Sequence, residues 1–241
     1  MILRHRGRAI SRLEAFSDAV FAFSATLLVV SLEVPRTYPE LVAGLKGFVA
    51  FGLSFGALVL IWVAHNGFFR RYGLQDAWTV ALNSVLLFVV LFFVYPLKFI
   101  ARGIALFVFG VDDGSGDYRI ETLDQLGSLF VVYGLAFATV FLCFALLYLR
   151  AHGKADALDL DAAERHEARF LFRHYLLFSV VGVLSVLVAW AGLGLEVALP
   201  GWLYGLMGPI GYLHGRWSYR NAPAPAPAPA VAAETAADGT P

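Results

Sequence analysis

Arg12 and Asp18 stand at the start of an uncharged run that extends from Ala19 to Leu32, and Ser17 sits beside the carboxylate. A carboxylate at the mouth of an apolar helix is costly to bury unless it is paired or hydrogen-bonded, so it marks a polar network or an ion path. The plainer reading of Ser17 and Asp18 is a helix cap, because both residue types suit a helix start and its dipole. His65 closes the next apolar stretch, in Ile61-Trp62-Val63-Ala64-His65-Asn66, at the same side and depth as Asp18. An Asp and a His on neighbouring helices can share a hydrogen bond that lowers the cost of burying each. Alternatively, His65 is an interfacial histidine facing water, with Trp62, Arg70 and Arg71 as boundary anchors. Asn83 lies about two turns inside the third stretch, where a lone Asn acts as interhelical glue. The chemistry these types support is the handling of ions or protons.

Bond-making chemistry has no comparable constellation. The sequence holds no Walker loop, no dinucleotide fingerprint and no nucleophile set beside a base, so it is not expected to be an enzyme. The run from Asp113 to Asp124 has oxygen side chains at several calcium-loop positions, but Tyr118 replaces the glycine of the sharp turn; a solvated loop is expected instead. His166-Glu167-Ala168-Arg169-Phe170 begins like a zinc-protease helix and has Phe where the second His is needed. Cys143 is the only cysteine, which excludes an intrachain disulfide and a cysteine metal cluster. No cofactor and no nucleic-acid partner is expected.

These residues must be positioned by membrane helices. The 241 residues are 59% hydrophobic, only 15% charged and include 21 Phe, a composition too apolar for a soluble domain of this size. Six apolar stretches run near 16–34, 44–69, 77–101, 126–149, 171–194 and 197–215, each about long enough to span a bilayer as a helix. The fold class is therefore all-α, a polytopic membrane protein with six transmembrane helices and the lipid bilayer as its surroundings. With a cytoplasmic N-terminus, 13 of the 18 Lys and Arg fall on the inner side and 5 on the outer, which places both termini in the cytoplasm. A kink or an end of the third helix is expected at Pro96. Between 150 and 170 a short solvated helix is expected. Gly52/Gly56, Gly201/Gly205 and Gly211/Gly215 are spaced for close helix packing. Residues 1–220 form one helical domain, and 221–241, rich in Ala and Pro, form a disordered cytoplasmic tail.

Taken together, Arg12-x-x-x-Phe16-Ser17-Asp18, Thr26-Leu27-Leu28 before Pro35, Trp62-x-x-His65, Asn83 and Pro96 resemble the prokaryotic branch of the transmembrane protein 175 family, the lysosomal-type potassium channels. The match is dense over about residues 10–100; beyond that it rests on span count and topology. The resemblance implies a homotetramer whose central pore is lined by the first helix of each subunit, without the usual filter loop. It implies that Arg12, Phe16, Ser17 and Asp18, with His65 and Asn83 as partners, position that helix. It places the hydrophobic constriction at Phe23, where the family usually has Leu or Ile and where four phenyl rings either close the axis or tilt away and leave Leu27 as the narrowest point, with Val30 further along, and it places the threonine linked to potassium preference at Thr26. Helical spacing puts Phe23, Thr26, Leu27 and Val30 on one face, so four copies would stack apolar and hydroxyl rings.

The expected function is a potassium channel of the bacterial inner membrane, passing monovalent cations with K+ as the permeating ion. Two readings from other classes stand beside it. A proton-coupled transporter would use Asp18 and His65 as a relay, although no second copy of the Phe-Ser-Asp signature provides the internal repeat common in transporters. A non-conducting adaptor would use the charged inner segment and the tail.

Overall fold

Long uncharged runs broken by short polar turns make the chain a series of helices joined end to end. The computed structural model describes residues 10–30, 35–112 and 119–223. Its helices are α1 (Arg12–Val30), α2 (Tyr38–Tyr72), α3 (Ala77–Phe107), α4 (Leu123–Gly153), α5 (Ala162–Trp190), the short α6 (Leu199–Trp202) and α7 (Met207–Arg220). The first five are long and apolar enough to cross a membrane. The calcium-like loop over 113–118 and the tail from 224 onward lie outside the described residues.

The boundaries follow local chemistry. Thr37, Asp76, Thr122 and Asp161 cap α2, α3, α4 and α5 with side-chain oxygens that accept from backbone N–H groups. Gly73, in the left-handed conformation, ends α2 and lets the chain turn within four residues into α3. The short solvated helix expected before the fifth span is the first part of α5 itself. Asp161 and Glu164 form a reciprocal capping box, and no breaker separates them from the apolar run, so one helix extends from the polar loop into the core. Helix α3 continues through Pro96 to Phe107 instead of ending there.

The sixth apolar stretch is assembled in pieces and, among the described residues, is not one of the helices long and apolar enough to cross a membrane. A 3-10 turn at Leu195–Val197 follows Gly194, whose φ of 64° puts it in the left-handed region. A Cβ there would approach Leu199 Cβ to 2.7 Å, so glycine is required at this corner. The run from α6 to α7 then stays helical but tightens to 3-10 geometry over Leu203–Leu206.

One end of the bundle, here the basal end, gathers the start of α1, the α2–α3 turn, the α4–α5 connection and the end of α7. Lys154 Nζ lies 2.8 Å from Asp76 Oδ2, and Arg150 Nε 3.5 Å from Asp76 Oδ1. Arg71 pairs with Glu167, and His166 Nε2 is 3.0 Å from Ser218 Oγ. Above these ties Phe68, Phe69, Phe144, Leu147 and Tyr148 fill the core, Phe68 meeting Tyr148 edge-on. Helices α4 and α5 approach most closely through Gly134 and Gly182. A Cβ on Gly182 would lie 2.9 Å from Phe137 and 3.0 Å from Ala138, and Ser179 Oγ donates to Ala138 O at 2.9 Å. Among the described residues, by contrast, nothing lies within 4 Å of a Cβ built on Gly52 or Gly56.

Candidate functional site

Helix α1 has two faces, set by spacing. Ser17, Phe21, Ser24 and Leu28 recur at steps of four, three and four and are buried against the subunit. The buried serines satisfy their hydroxyls on their own helix: Ser17 Oγ donates to Leu13 O at 2.8 Å and Ser24 Oγ to Val20 O at 2.9 Å. On the opposite side Arg12, Phe16, Phe23, Thr26 and Val30 are exposed, Phe23 at 56% and Val30 at 72%. Leu27 sits on the shoulder, packed partly against the core. Thr26 Oγ1 donates its proton to Ala22 O at 2.9 Å, which leaves oxygen lone pairs to face outward.

The buried face is anchored by a hydrogen-bonded chain across three helices. Asn83 Nδ2 on α3 donates to Ser17 Oγ on α1 at 3.0 Å, and Asn83 Oδ1 lies 2.7 Å from His65 Nε2 on α2. Since that amide oxygen can only accept, His65 carries a proton on Nε2. His65 is 1% exposed and Asn83 fully buried, with Phe21 and Phe69 packed around the imidazole. The water-facing histidine is thus replaced by a buried one, and Asn83 is the interhelical glue its position suggests.

The structure does not join Asp18 to His65. Ser17 and Asp18 are neighbours in a helix and diverge by about 100°. Ser17 therefore turns toward α3, while Asp18 reaches the flank of α2, where Trp62 Nε1 donates to Asp18 Oδ1 at 2.8 Å. Trp62, expected as a boundary anchor, is the carboxylate's partner. The available signal was the one-turn offset of Trp62 from His65, together with the need of a half-buried indole N–H for an acceptor. Among the described residues, Arg12 forms no hydrogen bond or ion pair with Asp18 or His65, and Phe16 lies 62% exposed on the outward face. The signature positions therefore divide into an inward set (Ser17, His65, Asn83), a flanking pair (Asp18, Trp62) and an outward set (Arg12, Phe16).

Comparison with known proteins bears directly on this helix. The sequence profile described as the endosomal/lysosomal potassium channel TMEM175 matches residues 12–93, a segment that includes α1, the anchor and most of α3. A protein of Marivirga tractuosa named "Potassium channel" is 37% identical over 222 residues, which are 88% of this chain and 88% of that protein. The chain belongs to the TMEM175 family. This is a family of ion channels, not of enzymes. Among solved structures, that of a variant of the potassium channel MtTMEM175, in complex with a Nanobody-MBP fusion protein, superposes with a TM-score of 0.79 at 36% identity. It covers 90% of this chain and 97% of that one. A TMEM175 homologue from Chamaesiphon minutus, described as a lysosomal potassium-selective channel, shares the fold with a TM-score of 0.56 at 23% identity, over 84% of this chain and 96% of that one. The chain is accordingly a multi-pass, all-helical membrane protein of TMEM175 type.

Proposed function

We propose that four copies of this chain assemble around α1 into a potassium channel of the bacterial inner membrane, with K+ flowing down its gradient and no filter loop. The observation that supports this reading is the division of α1. One face is locked to its own subunit through Ser17, Asn83 and His65, while the other leaves Phe23, Thr26 and Val30 exposed. In a bilayer an open apolar face is met by lipid or by copies of the chain; the reading takes copies, because Arg12 and Thr26 share this face with the apolar residues and closed rotational symmetry places the same helix around one axis. Phe23 then forms an apolar ring that blocks ions by dewetting, because an ion there loses water and gains no ligand. Thr26 contributes a ring of hydroxyl oxygens to a partly dehydrated ion, and Leu27 and Val30 continue the apolar lining. Ser17 and Asp18, with His65, Asn83 and Trp62, set the angle and depth of α1 within its subunit, and Arg12 and Phe16 on the outward face meet the neighbouring helices. The basal end faces the cytoplasm, in accord with the 13 to 5 distribution of Lys and Arg, and both termini lie there.

The test is flux into liposomes containing the purified protein, with K+ or Na+ as the permeant cation, comparing wild type with Phe23→Ala. The expected result is K+-favoured flux that rises in the variant. An absence of flux from folded, tetrameric protein would overturn the channel reading. Saturable flux that requires a pH gradient would replace it with a coupled transporter.

A further inference from the structure

Three of the chain's six histidines meet where α7 lies along α5. His166, Phe170, His174 and Phe178 recur at every fourth residue of α5, and Gly211, His214 and Ser218 form the stripe of α7 that faces them. His166 Nε2 lies 3.0 Å from Ser218 Oγ and 3.2 Å from Ser218 O. Two turns further along α5, the rings of His174 and His214 stack with centroids 5.8 Å apart and planes 14° apart. His214 also stacks on Phe170, at 4.7 Å. Gly211 sits beside the pair, where a Cβ would lie 3.5 Å from His174 Cε1. Within the subunit α7 packs mainly on α5 and on the 3-10 turn that leads into it. Histidines therefore carry most of what fastens this helix to the bundle.

The upper part of this seam fits uncharged rings. Among the described residues, Nδ1 of His174 and Nδ1 of His214 are both buried without a hydrogen-bond partner. A neutral imidazole can leave one nitrogen as a lone pair, whereas an imidazolium donates from both, and its Nδ1–H would here lack an acceptor. The cation beside the pair is Arg173, whose guanidinium lies 5.9 Å from the Trp217 ring, itself stacked on His214. Among the described residues no carboxylate offsets it. Helix α7 has no acidic residue, and on α5 Glu164 belongs to the capping box and Glu167 pairs with Arg71. Tyr175 adjoins His174, and α4 reaches this level through Phe141, Phe144 and Tyr148, which pack on Tyr175. His166 differs from the other two. Ser218 O can only accept, so His166 holds a proton on Nε2 and donates it there in the neutral and the charged form alike.

We infer that the α5–α7 seam is a pH-sensitive latch: neutral His174 and His214 hold α7 against α5, and their protonation parts the helices at that level while His166 keeps the Ser218 end fastened. Two imidazoliums stacked face to face repel each other and Arg173, and parting lets their N–H groups turn toward water at the basal end. The docked seam binds fewer protons than the parted one, so a fall in pH shifts the balance toward parting. The change is expected below about pH 6.5, where imidazole ordinarily takes up its proton. The latch requires nothing of ion conduction, so its failure and the failure of the channel reading are separate results.

The experiment is hydrogen–deuterium exchange of the detergent-purified full-length protein at about pH 7.5 and about pH 5, either side of the imidazole range, with labelling times scaled for the intrinsic pH dependence of amide exchange. In wild type the amides of residues 211–217 are expected to exchange on the order of tenfold faster at the lower pH, the factor that one unit of proton linkage gives. Those of α4 are expected to hold their protection. His174→Phe and His214→Phe each keep an aromatic ring in the stack but take up no proton, and either should remove most of the acid response. Equal protection of 211–217 at the two pH values in wild type would overturn the latch. So would a full acid response in both folded variants, or a loosening of α4 in step with α7, which would assign the change to the whole bundle. Should one variant fail to fold, the other carries the test. Should neither fold, the emission of Trp217, taken as the difference between wild type and Trp217→Phe, gives a second reading. An indole that parts from the His214 ring should change in emission between the two pH values, and a difference signal independent of pH would overturn the latch.

Discussion

Asn83 concentrates more of the site than any other described side chain, because its amide bridges the imidazole of α2 and the hydroxyl of α1. Asn83→Ala leaves His65 Nε2–H buried without an acceptor, at about 1–3 kcal/mol, and removes a donor from Ser17. The expected outcome is a lower thermal midpoint for the detergent-solubilised protein. In a double-mutant cycle with Ser17→Ala the two losses should fall short of additivity, since both remove one bond. Full additivity would mean that Asn83 and Ser17 act separately. Asp18 makes a different prediction. Asp18→Asn keeps an acceptor for the Trp62 indole and should assemble nearly as wild type, while Asp18→Ala should reduce recovered oligomer on size exclusion. Equal, severe losses in both would assign the role to the charge instead. The residue types of this site were legible in the sequence, as was the depth they share, because hydrophobic run length fixes where each falls in a span. Their pairing was not. Whether Asp18 meets His65 or Trp62 depends on the rotation of α1 against α2, and a rotation of about 100° per residue exchanges the partners of Ser17 and Asp18.

At the level of elements, five long helices could be placed from apolar run length alone, because a membrane helix must satisfy its whole backbone internally and cannot end inside the bilayer. Their ends were harder to read. Polar caps and turns extend α2, α3, α4 and α5 beyond the apolar runs, and the capping box at Asp161 fuses a polar segment to the fifth span. The sequence motif for close packing was a partial guide, for an added Cβ would come within 3.0 Å of Phe130 at Gly201 and 3.5 Å of His174 at Gly211. Among the described residues nothing lies within 4 Å of a Cβ built on Gly52 or Gly56 in α2, whereas the tight α4–α5 contact uses Gly134 and Gly182, one on each helix, a pairing that spacing within a single helix cannot reveal. Two substitutions follow from the contrast. In Gly182→Ala the new methyl meets Phe137 and the Ala138 backbone, and overpacking of this kind costs about 1–3 kcal/mol, visible as a lower thermal midpoint. Gly52→Ala meets open space within the subunit and should leave monomer stability unchanged or raise it by up to about 1 kcal/mol through helix propensity. If Gly52→Ala instead abolishes the oligomer while the subunit stays folded, the open face of α2 lies in a subunit contact.

For the molecule as a whole, the basal end carries the ties that hold the helices in register, and they are polar because this end meets water. Burial alone would raise the carboxyl of Asp76. The hydrogen bond from Lys154, the Thr79 backbone N–H and the charges of Arg150 and Lys154 together outweigh it and hold the pKa down at about 2. A carboxylate depressed in the folded state from an ordinary value of 3.8 stabilises the fold above that ordinary value. The contribution fades as pH falls toward 2, where the folded protein finally takes up the proton that the unfolded chain accepted earlier. Asp76→Asn isolates this effect, because Asn caps a helix about as well as Asp and only the charge is lost. Near neutral pH the variant should melt below wild type, since α3 is no longer tied electrostatically to the end of α4. Between about pH 4 and pH 2 the two melting points should converge as wild type loses the same charge. A gap that persists at the lowest pH would mean that the Asn side chain itself, and not the missing charge, weakens the clamp. High salt should narrow the neutral-pH gap as well, because Asp76, Arg150 and Lys154 all remain partly exposed and are open to screening.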